Sequence, residues 1–158
     1  MKYIYLLLFV FSFQACLAQT TAPKKIVDEF FIAVNAHDTI AIAKLFSADS
    51  KGESPNWGSV QIGGNAIAHE FARNFEGDSI LKFTVTNIID AKNSVVAEYT
   101  FTGRISSTAP EVPAYMHSKN YSFKACSMFD ITNGKITAFR SYFDQVAFLK
   151  QVGFFQQQ

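Results

Sequence analysis

Residues 129–153, FDITNGKITAFRSYFDQVAFLKQVG, constrain the fold of this chain more than any other segment. Asn133-Gly134 predicts a tight hairpin turn, because both central positions of a type I′ turn need positive φ, which Asn and Gly tolerate best. Asp144 stands at the N-cap position of a helix, and Gly153 is a helix stop signal. The residues between turn and cap include Ile136, Ala138, Phe139, Tyr142 and Phe143, which suit a strand with two partly apolar faces. The segment therefore predicts a strand, a tight turn, a second strand and a closing helix.

The start of the chain has the composition of a secretory signal peptide. Lys2 provides a basic beginning, and residues 3–13 form an apolar run of the length expected for a signal sequence. Cleavage is expected after Ala18, so residues 1–18 are removed and the mature protein is secreted or periplasmic. The run is shorter than the roughly 20 residues of a transmembrane helix. Cys16 leaves a second interpretation open, a lipoprotein anchored through that cysteine, although the usual leucine three places earlier is absent.

The remaining chain is long enough for one domain. We expect a tether at residues 19–25, the domain at 26–153 and a tail at 154–158. Seventeen phenylalanines and six tyrosines can supply a self-sufficient core, and Cys126 alone remains after signal cleavage, so no internal disulfide is expected. The net charge of +1, with scattered charges, supports neither nucleic-acid binding nor binding to an anionic membrane. No transmembrane segment is expected in the mature chain. No motif predicts a cofactor.

Helical periodicity comes first and strand periodicity follows. Helices are predicted around residues 26–34, after a cap at Asp38 or Thr39, and after a cap at Asn65. Residues 49–58 are predicted to be a loop. Strands are predicted at residues 60–62, 80–91, 95–105, 118–132 and 135–143. Helices followed by a long antiparallel sheet indicate the α+β class.

Several short fragments, taken in order and spacing, resemble SnoaL-like members of the NTF2-like family. They are Val34-Asn35-Ala36-His37-Asp38, Leu45-Phe46, Gly64-Asn65-Ala66-Ile67, Val96-Ala97-Glu98-Tyr99, Gly134-Lys135-Ile136 and Tyr142-Phe143-Asp144. The resemblance covers residues 26–153. It implies a cone, in which N-terminal helices pack inside a strongly curved antiparallel sheet and a C-terminal helix closes the fold. Together with the apolar content of both strand faces, it also implies a homodimer formed through the outer face of the sheet.

The same resemblance bears on catalysis. Ketosteroid isomerase and the polyketide cyclases of this family use a carboxylate in the cone as general base. Limonene-epoxide hydrolase uses an Asp-Arg-Asp set, and its three positions fall at Tyr99, Phe101 and Ser141 of this chain. An unaided serine is no base near neutral pH and phenylalanine transfers no proton, so epoxide hydrolysis is disfavoured.

The predicted pocket residues are mostly aromatic. Strand alternation places Phe139, Ser141 and Phe143 on one face and Arg140, Tyr142 and Asp144 on the other. We expect a ligand to contact Trp57, Tyr99, Phe101, Phe139, Ser141 and Phe143. Trp57 either covers the mouth of the cone or holds its loop against the core. Tyr99 and Ser141 either orient a ligand or hydrogen-bond within the barrel.

Structural roles explain the other polar candidates better than chemistry does. Asp144 is expected to cap the last helix, Asp130 to shape the hairpin turn, and Glu98 to face away from the pocket. His37 lies at the end of a predicted helix, where a favourable interaction with the helix dipole accounts for its presence. No pair of histidines has metal-ligand spacing, so no metal site is predicted. Cys126 is expected to be a buried, inert thiol.

Three functions remain open on these grounds. The first is binding of a small apolar molecule in the cone, without evident catalysis. The second is an isomerase, cyclase or hydrolase that uses an unrecognised carboxylate or histidine, and the third is a protein-interaction module with a filled cone. A carboxylate or histidine projecting into an open cavity favours the enzyme. An apolar cavity with Tyr99 and Ser141 as its only polar groups favours binding.

Overall fold

A computed structural model describes residues 22–109 and 112–156, so the predicted signal peptide lies outside the described residues. The helices are α1 (Pro23–Asn35), α2 (Thr39–Leu45), α3 (Gly64–Gly77) and α4 (Gln145–Gln151). The strands are β1 (Phe46–Glu53), β2 (Gln61–Ile62), β3 (Lys82–Ala91), β4 (Ser94–Arg104), β5 (Asn120–Thr132) and β6 (Lys135–Phe143). Short 3₁₀ helices occur at Ala114–Met116 and Phe154–Gln156. No helix in this part of the chain is long and apolar enough to cross a membrane.

The six strands form one curved mixed sheet in the order β2-β1-β6-β5-β4-β3. Every neighbouring pair is antiparallel except β1 and β6, which run parallel. The ring of Phe30 on α1 lies 5.5 Å from Phe71 on α3, 5.1 Å from Phe129 on β5 and 5.5 Å from Phe139 on β6. Apolar faces of the helices therefore pack into the concave side of the sheet, and the predicted α+β cone is confirmed.

The C-terminal hairpin and helix match the prediction. Strand β6 has the predicted bounds, and Asn133 and Gly134 have φ of +50° and +74° in the turn before it. The Asp144 carboxylate accepts a hydrogen bond from the Ala147 backbone N–H at 2.9 Å and caps α4. Ser127 pairs with Ser141 and Phe129 with Phe139, so the alternation assumed for β6 is correct.

The predicted loop at residues 49–58 is wrong in its first half, because β1 extends to Glu53. Its buried positions include Ser50 and Gly52, which do not look apolar in the sequence. A Cβ on Gly52 would lie 2.7 Å from the Ile67 side chain, so the close packing of α3 requires glycine there. Steric demand, not hydrophobic alternation, thus determines the residues of this strand.

Smaller corrections concern helix ends and one carboxylate. The N-cap of α3 is Gly63, with φ of +84°, and not Asn65, and α1 includes Pro23–Lys25 of the predicted tether. Asp38 caps α2 by accepting from the Ala41 N–H at 2.8 Å. The Asp130 carboxylate lies outside the turn and binds the Ser94 hydroxyl at 2.7 Å and the Arg140 guanidinium at 2.8 Å. It therefore ties β4, β5 and β6 together.

Candidate functional site: an aromatic cavity with one buried carboxylate

The cone encloses a cavity of about 750 Å³. Its walls include residues of α1, α3 and α4 and of strands β3 to β6. On the strands, these residues lie on the concave face of the sheet. The aromatic wall residues include Phe30, Phe71, Phe83, Phe101, Phe123, Phe139, Phe143 and Phe148. The interior of the cone is thus not filled completely by side chains.

All six residues predicted to contact a ligand line this cavity: Trp57, Tyr99, Phe101, Phe139, Ser141 and Phe143. Trp57 is 4% exposed, and its ring centroid lies 5.7 Å from Phe71 and 5.6 Å from Phe139. It is therefore both a wall of the cavity and the point where its loop is held on the core, which combines the two alternatives considered for it.

Two polar residues of the cavity wall, Tyr99 and Ser141, share a group of three hydroxyls with Ser127, which is fully buried behind the wall. The Tyr99 hydroxyl lies 2.9 Å from the Ser127 hydroxyl and 3.3 Å from the Ser141 hydroxyl. Burial raises the pKa of Tyr99, so its hydroxyl stays protonated. Three hydroxyls carry three hydrogens, and the two bonds among them use two, which leaves one for another acceptor. The group satisfies itself within the barrel and can still donate one hydrogen bond.

The sequence reasoning missed a carboxyl group in the cavity. Asp78 follows α3, where a bridge between Asp78 and Ile105 fixes its backbone. Burial raises the pKa of Asp78 to about 6, and the neighbouring Tyr121 hydroxyl opposes this rise. Oδ1 is buried, and no hydrogen bond of normal geometry reaches it. Tyr99 and Ser141 are therefore not the only polar residues of the cavity, so the condition set above for simple binding is not fully met.

Gly103 makes room for this pair. It lies on β4 opposite Tyr121, and a Cβ there would overlap the Tyr121 hydroxyl and lie 2.8 Å from Oδ1 of Asp78. Burial and the nearby Asp78 carboxylate both raise the pKa of Tyr121, which keeps the phenol protonated. Strand alternation starting from Phe123 predicts that Tyr121 lies on the inner face of the sheet. Nothing in the sequence around Asp78 predicts that this carboxyl group lies beside Tyr121.

Polar side chains of α3 line one side of the cavity. His69, Glu70, Arg73 and Asn74 all border it, and Arg73 donates to the Glu70 carboxylate at 3.1 Å. His37, by contrast, lies outside the cavity walls and stacks on Phe75 with 4.3 Å between ring centroids. Within the described residues, no group of three His, Cys, Asp or Glu could hold a metal ion.

Two other candidates lie on the outer face of the sheet. Glu98 is exposed there and accepts from the Asn87 amide at 3.3 Å. Cys126 pairs with Tyr142 on the same face and is half-buried there, so the expectation of a buried thiol is wrong. Partial burial, with a contribution from Glu98, raises the pKa of its thiol. A raised pKa disfavours the nucleophilic thiolate.

An α+β cone around an aromatic cavity defines the class of this protein. The SnoaL-like domain family matches residues 27–139, and the chain belongs to that family. Among curated protein sequences, none matches it significantly.

Solved structures agree with this fold. A protein from Silicibacter sp. TM1040, assigned as a polyketide cyclase, is 26% identical with a TM-score of 0.71, covering 82% of this chain and 94% of that one. An LEH-like epoxide hydrolase from M. tuberculosis is 22% identical with a TM-score of 0.66, covering 84% and 86%. A hypothetical protein with a ketosteroid isomerase-like fold from Catenulispora acidiphila, in complex with trimethylamine, is 22% identical with a TM-score of 0.70, covering 84% and 95%. Similarity at this level concerns the fold.

Proposed function

We propose that this protein binds a small, largely apolar molecule inside the cone. The observation that carries the proposal is the cavity of about 750 Å³ with aromatic walls, a volume typical of small-molecule sites. An open cavity of this size favours ligand binding over a protein-interaction module with a filled cone. Apolar contacts with the aromatic walls supply most of the affinity.

Hydrogen bonds orient the ligand. The hydrogen left over in the group of Tyr99, Ser127 and Ser141 can be donated to a carbonyl or hydroxyl oxygen of the ligand. Because Ser141 is partly exposed while Ser127 is fully buried, Ser141 is the group that reaches a ligand.

Trp57 provides the test, since it is the only tryptophan of the chain and lines the cavity. Native mass spectrometry of the purified protein should reveal a co-purifying molecule, and a panel of lipophilic compounds should change the Trp57 fluorescence. Ser141→Leu, which removes the hydroxyl and places a larger side chain in the cavity, should weaken binding at least about tenfold, or 1.4 kcal/mol. Thr100→Leu adds the same side chain to the opposite face of the sheet and should leave binding unchanged. If no compound shifts the fluorescence or the melting temperature, the proposal fails.

Proton transfer is a second candidate, and Asp78 is the observation that favours it. A pKa of about 6 suits a general base at neutral pH, and the Tyr121 hydroxyl lies beside this carboxyl group. An isomerase or cyclase built on this pair would exchange the α-proton of a bound ketone with solvent. NMR in D₂O would detect the exchange, and Asp78→Asn should abolish it while ligand binding persists.

We also propose that the protein is exported and dimeric. The support for export is the sequence of residues 1–18, and an intact mass starting at Gln19 would establish cleavage, whereas a lipid-modified Cys16 would indicate a lipoprotein. The support for a homodimer is the outer sheet face, where Tyr142 is 52% and Ile89 is 53% exposed.

A further inference from the structure

We infer that the Asp78 end of the cavity receives a protonated amine, so that the molecule held in the cone is an amine with an apolar body. This inference rests on the proposed function, because it names the chemical class of the ligand in the same cavity. It concerns the carboxylate end of the cavity and is independent of the hydroxyl group around Tyr99.

The Asp78 carboxylate has no cationic partner within the described residues. The ion pairs there use Asp28, Glu29, Glu70 and Asp130. Oδ1 of Asp78 is buried with no hydrogen-bond partner of normal geometry, and Asp78 is one of the residues that line a cavity large enough for a ligand. The Tyr121 hydroxyl offsets only part of the cost of burying this carboxylate. An ammonium group that donates to it would lower that cost further.

The surroundings of Asp78 favour positive charge further. Helix α3 ends at Gly77, so the negative end of its dipole points to the same place. The nearest basic residue along α3 is Arg73, whose guanidinium is already bound to Glu70 at 3.1 Å. Glu76 also lines this part of the cavity. An anionic ligand would be repelled here and a cation attracted.

Aromatic rings next to the carboxylate suit the same ligand. The Tyr121 ring lies 5.7 Å from Phe101, 5.7 Å from Phe123 and 5.0 Å from Phe148, measured between centroids. Ring faces attract alkylammonium groups, and the same rings bury an attached hydrocarbon. A metal ion is a poorer occupant, because one carboxylate and one phenol give it too few ligands and no group of three metal-binding side chains occurs in the described residues.

The test compares two probes of the same shape, 4-phenylbutylamine, which is protonated at pH 7.4, and the neutral 4-phenyl-1-butanol. Isothermal titration calorimetry of the purified protein should show the amine binding at least about tenfold tighter than the alcohol. In Asp78→Asn this preference should disappear while the alcohol binds as before. Asp90→Asn, which neutralises an exposed carboxylate on β3 outside the cavity walls, should keep the preference.

The outcomes separate this inference from the proposed function. Equal binding of both probes, or a preference for the amine that survives Asp78→Asn, would overturn the amine inference and leave ligand binding in the cone intact. Absence of binding by both probes and by the lipophilic panel would overturn both. Circular dichroism of Asp78→Asn checks that the variant is folded, and Tyr121→Phe, which keeps the carboxylate, should retain a preference for the amine.

Discussion

At Asp78, burial opposes ionisation, and the folded state acquires a pH dependence of known sign. The pKa of this carboxyl is about 6 in the folded protein and 3.8 as its ordinary value. The folded state therefore holds its proton more tightly than the unfolded state does. Stability should fall as the pH rises from about 4 to about 6 and then remain level, with a total loss of at most about 3 kcal/mol.

Asp78→Asn should remove this loss. The amide has the shape of the carboxyl and carries no charge, so the variant should exceed the parent in free energy of unfolding by about 2 kcal/mol at pH 7.5. At pH 4 the two proteins should be nearly equal. Urea denaturation at both pH values measures the difference, and Asp90→Asn serves as the exposed control. A variant that is less stable than the parent at pH 7.5 would contradict the argument.

A residue that lowers stability at neutral pH suggests selection for function. Residues that hold an uncompensated charge in a cavity are typical of sites tuned for a ligand or a proton. Ser127 and Tyr99 show the opposite pattern, because their buried hydroxyls satisfy each other. The two polar parts of the cavity thus differ: one stabilises the fold and the other does not.

At the scale of elements, sequence patterns predict those helices and strands whose local signals favour the same structure as their packing in the fold. Strand β6 combines a clear alternation with Asn133-Gly134 before it and Asp144 after it, and all three appear where expected. Strand β1 was not predicted because its buried positions include Ser50 and Gly52, which are not apolar side chains. The close approach of Ile67 on α3 leaves no room for a side chain at Gly52. A local sequence pattern cannot predict a steric requirement that another helix or strand imposes.

The same distinction explains which site residues were predicted. Tyr99, Phe139 and Ser141 lie in strands, where alternation alone determines the face. Asp78 follows a helix and reaches the cavity only because the bridge to Ile105 and the space above Gly103 bring it beside Tyr121. Ile105, Gly103 and Tyr121 are far from Asp78 in the chain, so no short-range sequence pattern predicts that they come together.

Substitutions at two glycines can measure how much the positive φ in the turn before β6 contributes to stability. A Cβ on Gly134 or on Gly77 would meet nothing within 4 Å, but Gly134 has φ of +74° while Gly77 ends helix α3. Gly134→Ala should lower the free energy of unfolding by about 1–2 kcal/mol, since an L-residue is strained there. Gly77→Ala should leave it unchanged or raise it by about 0.5 kcal/mol. Equal effects in thermal or urea denaturation would show that φ at the turn has no influence.

For the molecule as a whole, the sheet has two different faces. The concave face holds the core and the cavity, so the convex face is left to contact solvent or a second chain. Two rows of paired residues cross this outer face, one through Tyr142, Cys126 and Glu98 and one through Met128, Val96 and Ile89. Their mixture of aromatic, aliphatic and polar side chains is typical of a dimer interface.

The proposed homodimer can be disrupted on this face alone. Tyr142→Asp places a charge where an exposed aromatic ring would be buried against the partner, and it should weaken association at least about tenfold. Ile32→Asp introduces the same charge at a residue 69% exposed on α1, away from the sheet, and should leave the dimer intact. Size-exclusion chromatography with light scattering measures the mass over a range of concentrations. A parent protein that stays monomeric at high concentration would refute the dimer, and equal loss of association in both variants would place the interface elsewhere. Because the cavity opens on the other side of the sheet, ligand binding in Tyr142→Asp should match that of the parent.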